Sequence, residues 1–132
     1  LPDLPKIDED DPALDEVTED LPTVLPETIR RRLIGRYGQE AAELVAAAQP
    51  GELAVIPNTN VLWAELRWAA RSEGVVHLDD LLLRRVRLGL LLPDGAAALE
   101  ERIQAICQAE LGWEDGRWAE EWAAYQQRWQ AK

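Results

Sequence analysis

Residues 115–130 have the sequence DGRWAEEWAAYQQRWQ, whose spacing is typical of a helix with one aromatic face. Its large aromatic side chains recur at steps of four, three and four residues, at Trp118, Trp122, Tyr125 and Trp129. Such steps place all four side chains on one face of an α-helix. Aromatic side chains at helical spacing are more often packed in a core or a domain interface than used to bind a ligand. The stripe therefore predicts a last helix that packs against other elements.

The apolar spacing in the preceding sequence is also helical. It predicts five more helices, at residues 27–37, 39–48, 60–73, 78–90 and 95–111, which Gly, Pro or Asn residues separate. Asn60, His77 and Asp94 lie where N-caps belong, and Gly112 followed by Trp113 fits a left-handed C-terminal cap. The predicted fold class is all-α, with about six helices in a single compact, bundle-like domain.

Residues 1–26 differ from the rest of the chain because they are rich in proline and acids. Residues 1–27 contain ten acids and one lysine, whereas residues 28–132 are close to neutral. A segment of this composition buries too little apolar surface to fold alone. We therefore predict an acidic, Pro-rich N-terminal extension at residues 1–26, partly disordered and most mobile before residue 20, followed by a helical domain at residues 27–132.

The chain of 132 residues begins at Leu1 and contains no methionine, so we expect a fragment or a processed product. No apolar run approaches the roughly 18 residues of a membrane span, and no signal-peptide pattern opens the chain. A single cysteine, Cys107, excludes an internal disulfide, and one histidine adds too few ligands for a zinc site of Cys and His. These features predict a soluble, cytoplasmic domain without a metal.

Several residues suggest chemistry, but each has a simpler interpretation. His77 has no nearby Ser or Cys nucleophile in sequence, so capping a helix is the favoured role. Cys107 lies on the apolar stripe of the helix at 95–111, where a thiol is usually a core residue. Gly35 and Gly38 follow no strand, so they do not match the turn that binds a dinucleotide. The chain alone is predicted to bind neither FAD nor a nicotinamide cofactor.

Two arginine clusters suggest, as an alternative, a DNA-binding domain of the helix-turn-helix class. They lie in two predicted helices, at Arg30, Arg31, Arg32 and Arg36, and at Arg84, Arg85 and Arg87. Binding a phosphate backbone needs an excess of clustered positive charge, and this chain has a net charge of -11. Arginines on helix faces are more often solvated or paired with Glu at helical spacing. Nucleic acid is therefore disfavoured as a partner.

A longer stretch of sequence resembles a known family. Residues 63–73 have the sequence WAELRWAARSE and residues 77–89 the sequence HLDDLLLRRVRLG. In order and spacing these runs are similar to the C-terminal domain of FAD-dependent glycerol-3-phosphate dehydrogenases and related oxidases. Residues 110–113, of sequence ELGW, and Tyr125 resemble the family's closing segment. The resemblance covers about residues 28–130.

The resemblance implies a parent enzyme that oxidises glycerol 3-phosphate to dihydroxyacetone phosphate. In such an enzyme FAD accepts the hydride, and the electrons then pass to a quinone or another acceptor. In the family the flavin and the catalytic groups lie in a preceding domain, so the resemblance assigns this chain no catalytic or cofactor-binding residue. It implies that the chain packs beside the FAD-binding domain of its own parent, which is at most peripheral on the inner membrane face. The alternative is a freestanding helical module for protein interaction or dimerisation.

Two charged residues lie where helical spacing favours apolar ones. Arg85 points into the middle of the apolar face of the helix at 78–90, and Glu73 falls within that of the helix at 60–73. A buried guanidinium needs a carboxylate, because an unpaired buried charge costs several kcal/mol. We therefore predict a partly buried structural salt bridge between Glu73 and Arg85, with Glu65 as the alternative acid. The other interpretation is that Arg85 projects toward the flavin domain of the parent.

Overall fold

The computed structural model describes residues 21–72 and 77–130 of the chain. Within these ranges the backbone is mainly helical, and the one strand-like pairing is an isolated antiparallel bridge between Val55 and Leu62. The predicted all-α class is therefore confirmed. The chain divides into two compact units, at residues 1–48 and 49–132. The extension predicted to be mobile, at residues 1–20, lies outside the described residues.

The first unit contains a helical hairpin. Helix α1 spans Glu27–Tyr37 and helix α2 spans Glu40–Ala47, and the two helices pack against each other. Both agree with the predicted ranges to within one residue. Helix α1 ends at Gly38, which has a φ of 60° and donates its backbone N–H to the carbonyl of Ile34 at 2.8 Å. A positive φ costs glycine little because it has no Cβ.

The second unit opens with a loop and helix α3, which spans Trp63–Ser72. The predicted start at residue 60, with Asn60 as its N-cap, is wrong. Thr59 holds the preceding turn, because its hydroxyl donates to the carbonyl of Ile56 at 2.8 Å and accepts the N–H of Val61 at 3.1 Å. The first turn of α3 is capped by Glu65, whose Oε2 accepts the N–H of Leu62 at 2.6 Å. A Glu that reaches back in this way is half of a capping box.

The predicted continuous helix at 78–90 is wrong. A π-helical segment spans Asp80–Arg85, Arg87 has a left-handed φ of 62°, and the short helix α4 follows at Leu88–Leu91. Leu82 and Leu88 are both fully buried. On a regular helix their side chains would point about 120° apart, at the two sides of the apolar face. In the observed backbone the π turn and the break at Arg87 lie between them, and both leucines are buried.

The predicted helix at 95–111 begins later than expected, and the predicted cap at Asp94 is wrong. A segment of 3-10 turns spans Pro93–Leu99, in which Asp94, Gly95 and Ala96 have φ values of 55°, 62° and 69°. Helix α5 then spans Glu100–Leu111. It ends as predicted at Gly112, which is left-handed with a φ of 69°. Trp113, the apolar residue after this cap, is buried.

Helix α6 spans Asp115–Gln130, in agreement with the predicted range. It completes a core that α3, the π-helical segment, α4 and α5 also build. The fully buried side chains of this core include Leu66, Leu78, Leu81, Leu82, Leu88, Ile103, Cys107 and Tyr125. Burial raises the pKa of the Cys107 thiol to about 12, as expected of a core cysteine. Across residues 21–72 and 77–130, no helix has both the length and the apolar character to cross a membrane.

Candidate functional site

The aromatic stripe lies on the face of α6 that meets the core. Trp118 and Tyr125 are buried, whereas Trp122 and Trp129 are partly exposed. The rings of Trp118 and Trp122 stack with centroids 5.6 Å apart, and Trp122 lies 5.4 Å from Tyr125. Trp118 Nε1 is buried without a hydrogen-bond partner in the described part of the chain. Trp118 therefore contributes to the structure by packing.

Tyr125 and Trp129 form what we call the aromatic clamp. The Tyr125 hydroxyl donates to the carbonyl of Gly95 at 2.6 Å, and Trp129 Nε1 donates to the carbonyl of Gly89 at 2.6 Å. Burial raises the pKa of Tyr125 to about 12, so its hydroxyl remains a donor throughout the physiological range. The clamp fastens the backbone of residues 88–95 to the last helix. Sequence periodicity places the two rings on one face but does not show these bonds.

Four charged residues form a second centre, the arginine–glutamate network. Arg67 contacts both carboxylate oxygens of Glu52, with Nε–Oε1 at 2.6 Å and Nη2–Oε2 at 2.8 Å. Its third nitrogen, Nη1, donates to Glu110 Oε2 at 2.5 Å. Arg71 Nε also donates to Glu110, at 2.6 Å. The network ties the loop before α3 to α3 itself and to α5, and the Arg67, Glu52 and Glu110 side chains are largely buried.

The arginines determine the charge state of these carboxylates. Burial alone would raise the pKa of Glu52, but hydrogen bonds from Arg67 and from the N–H of Gln49 outweigh it, so the pKa lies below its usual value. The hydrogen bond from Arg71 is the main cause of the lowered pKa of Glu110. Sequence analysis missed this network. The available signal for it was the spacing of Arg67 and Arg71, which are four residues apart on one helix. Two positive charges at this spacing repel each other, and a carboxylate that contacts both removes the repulsion.

Glu121 of α6 forms a third polar centre. Its Oε1 accepts the N–H of Leu78 at 2.9 Å, and its Oε2 lies 3.0 Å from His77 Nδ1 and 3.3 Å from Arg117 Nε. The prediction that His77 caps the following helix is therefore wrong, because the capping oxygen comes from Glu121. Burial would raise the pKa of Glu121, but the hydrogen bonds from Leu78 and His77 lower it overall.

These lowered pKa values predict acid sensitivity. Each carboxylate is stabilised in its charged form by folding, so its contribution is complete above the ordinary Glu pKa of 4.5 and is lost as the pH falls through the lower folded value. We expect the thermal unfolding midpoint to be steady from about pH 8 to 6 and to fall progressively below about pH 5. Circular dichroism at 222 nm, a standard wavelength for helix content, measures it. A midpoint that is unchanged at about pH 3 would contradict this account.

The predicted salt bridge of Glu73 with Arg85 stays a prediction, because Glu73 lies outside the described residues. Arg85 is partly buried, with 33% of its side chain exposed, and its Nε lies 3.3 Å from Asp80 Oδ2. These two residues are five positions apart on the π-helical segment. A prediction based on an α-helix does not pair them, because only side chains three or four residues apart face each other on such a helix.

An open groove of about 640 Å³ lies beside the N-terminus of α5. It is lined by Ala54, Val55, Pro57, Trp63 and residues 97–102. Arg102 closes one side, with its guanidinium carbon 4.3 Å from the centre of the Trp63 ring and its Nη2 donating to the carbonyl of Gly51 at 3.0 Å. The lining contains no Ser, Cys, His or Lys, and its charged side chains are Glu100, Glu101 and Arg102.

Comparison with known proteins gives the family. Residues 13–118 match the family model described as the C-terminal domain of alpha-glycerophosphate oxidase. The chain belongs to this family. The predicted resemblance is thus confirmed, and the match takes in the arginine–glutamate network and the start of α6.

The similar curated proteins are mycobacterial. Glycerol-3-phosphate dehydrogenase 1 of Mycobacterium tuberculosis is 39% identical over 90 residues, which are 66% of this chain and 16% of that protein. The protein of the same activity name from Mycobacterium leprae is 33% identical over 86 residues, 63% of this chain and 15% of that protein. The chain therefore spans about one sixth of the length of these relatives. No solved structure matches it significantly.

The residues of this alpha-glycerophosphate oxidase C-terminal domain do not fit a flavin. A dinucleotide is held by a glycine-rich turn between a strand and a helix. In residues 21–72 and 77–130 the one strand-like pairing is the isolated bridge between Val55 and Leu62. The described part of the domain therefore contains no turn of this kind between a strand and a helix. In the same ranges, no group of three His, Cys, Asp or Glu side chains is arranged to hold a metal ion.

Proposed function

We propose that this chain is the helical, noncatalytic C-terminal domain of a larger flavoenzyme that oxidises glycerol 3-phosphate to dihydroxyacetone phosphate. The observation that carries the proposal is the family match over residues 13–118. Relatives bear the name glycerol-3-phosphate dehydrogenase, and the chain spans only 15–16% of their length. In this proposal the remaining part of the parent binds FAD, carries out the hydride transfer and is the main partner of this chain.

The polar side chains of the second unit support a structural role. Catalysis needs an acid or base that is free to exchange a proton with a substrate. Glu52 and Glu110 are engaged by arginines, Glu121 by a backbone N–H and His77, and the Tyr125 hydroxyl by a carbonyl. Cys107 is buried, and its raised pKa keeps it a thiol. These groups hold helices together.

We also propose that the parent is a cytoplasmic protein, at most peripheral on the membrane.

Flavin content and activity test this proposal. We expect the isolated chain, mixed with FAD and desalted, to retain no flavin absorbance at about 450 nm and to oxidise no glycerol 3-phosphate. The complete product of the reading frame that contains this chain is expected to carry FAD and to reduce a dye acceptor when glycerol 3-phosphate is added. Flavin bound by the isolated chain would contradict the noncatalytic role. A complete product without flavin or activity would contradict the parent function.

A further inference from the structure

We propose that Leu90 and Leu91 form a docking surface for the flavin-binding part of the parent, and that the aromatic clamp fixes this surface in position. We call the two residues the leucine shelf. This inference rests on the proposed function, and it adds which face of the domain meets the rest of the enzyme. The partner is an apolar patch on that part of the parent.

The exposure of the leucine shelf is the first observation. Leu90 and Leu91 are 53% and 51% exposed, although they are adjacent and belong to helix α4. Their neighbours Leu88 and Leu92 are buried in the core. Isolated apolar residues on a surface are common, but two adjacent leucines on an ordered element form a small patch that association can remove from water.

The fixed backbone of the leucine shelf is the second observation. The N–H groups of Leu90 and Leu91 both donate to the carbonyl of Arg87, at 3.0 Å and 3.2 Å. Trp129 and Tyr125 hold the carbonyls of Gly89 and Gly95 on either side of the shelf. A surface that is already fixed loses little conformational entropy on binding, which favours association.

Left-handed residues bound the shelf at both ends. Arg87 has a φ of 62° before it, and Asp94 and Ala96 have φ values of 55° and 69° after it. Residues other than glycine keep such conformations only where the surrounding structure imposes them, and these conformations cluster at sites of function. The surrounding structure therefore imposes the backbone conformation on both sides of Leu90 and Leu91.

The length of the relatives identifies the partner. Charge around the shelf favours neither sign, because residues 79–94 contain three arginines and three acids. Arg87 is exposed beside the shelf and forms no ion pair within residues 21–72 and 77–130. Relatives are several times longer than this chain, so the parent supplies a large additional surface.

The test compares hydrogen exchange in the complete parent and in the isolated chain. We expect the amides of residues 87–92 to exchange at least about tenfold more slowly in the parent, because docking excludes water from them. The double variant L90K/L91K should remove this difference while leaving the unfolding midpoint of the isolated chain unchanged, since both side chains are half exposed. The matched control T23K/V24K adds the same charge at two adjacent exposed positions, with Val24 76% exposed, and should preserve the protection.

Each outcome separates the docking surface from the proposed function. Equal exchange in the isolated chain and in a parent that carries FAD and is active would overturn the docking surface and leave the proposed function intact. Protection in the isolated chain that rises with its concentration would overturn it in favour of a second copy. A parent without FAD or activity would overturn the proposed function itself. If L90K/L91K fails to fold, the comparison of the two unsubstituted proteins still decides the question.

Discussion

Replacing Gly89 with alanine is expected to lower the free energy of unfolding by about 3 kcal/mol. The added Cβ would collide with the Tyr125 hydroxyl and lie 2.8 Å from Leu83 Cδ2 and 3.3 Å from the carbonyl of Leu82. Tyr125 is fully buried and bonded to Gly95, so it cannot move aside without losing that hydrogen bond. Chemical denaturation followed by circular dichroism measures the change.

Gly116 provides the matched control for this substitution. It lies in α6 with no atom within 4 Å of an added Cβ, so Gly116→Ala is expected to stabilise the chain by about 0.5–1 kcal/mol. Removing the Tyr125 hydroxyl relieves one of the two close contacts, so Gly89→Ala should cost less in a Tyr125→Phe background than in the unsubstituted chain. If Gly89→Ala and Gly116→Ala have the same effect, the close packing of the clamp is wrong.

Replacing Arg67 with methionine is expected to cost about 3–5 kcal/mol of stability. Methionine keeps most of the apolar volume but leaves the buried carboxylate of Glu52 without its two guanidinium bonds, and Glu110 without one of its own. An unpaired buried charge must then be protonated, or hydrated by opening the structure. The unfolding free energy at neutral pH measures the loss.

Arg71 is the control for Arg67 within the same network. It also bonds Glu110, but 45% of its side chain is exposed, so solvent screens this pair and Arg71→Met should cost much less stability than Arg67→Met. Adding Glu52→Gln to Arg67→Met should recover part of the lost stability, because the neutral amide leaves no unpaired charge in the buried site. Equal losses for Arg67→Met and Arg71→Met would show that the buried network is not the source of the effect.

Sequence periodicity predicted the elements whose apolar spacing is regular. Helices α1, α2 and α6 lie within one residue of their predicted ranges, and the cap at Gly112 is where the sequence places it. These elements follow local rules: 3.6 residues per turn, and a glycine where the chain must become left-handed. The all-α class follows from the same rules.

The breaks and caps in the middle of the chain could not be predicted because distant residues determine them. Residues 78–90 have helical apolar spacing throughout, yet the helix is interrupted before Leu88, where the core buries Leu88 and Trp129 bonds the carbonyl of Gly89. The capping carboxylate for Leu78 comes from Glu121, which is 43 residues away. Glu52 lies in a loop, where no periodic pattern indicates that it will meet Arg67.

Helix α6 follows the other helices of the second unit, which has a consequence for the order in which this unit is completed during synthesis. Glu121, Tyr125 and Trp129 supply bonds to Leu78, Gly95 and Gly89, so residues 78–95 lack these partners until the last helix has left the ribosome. A chain that ends before residue 115 would lack all three bonds. Helices α1 and α2 pack against each other within the first unit, so they can form before α6 is synthesised, whereas residues 78–95 complete their bonds only after it.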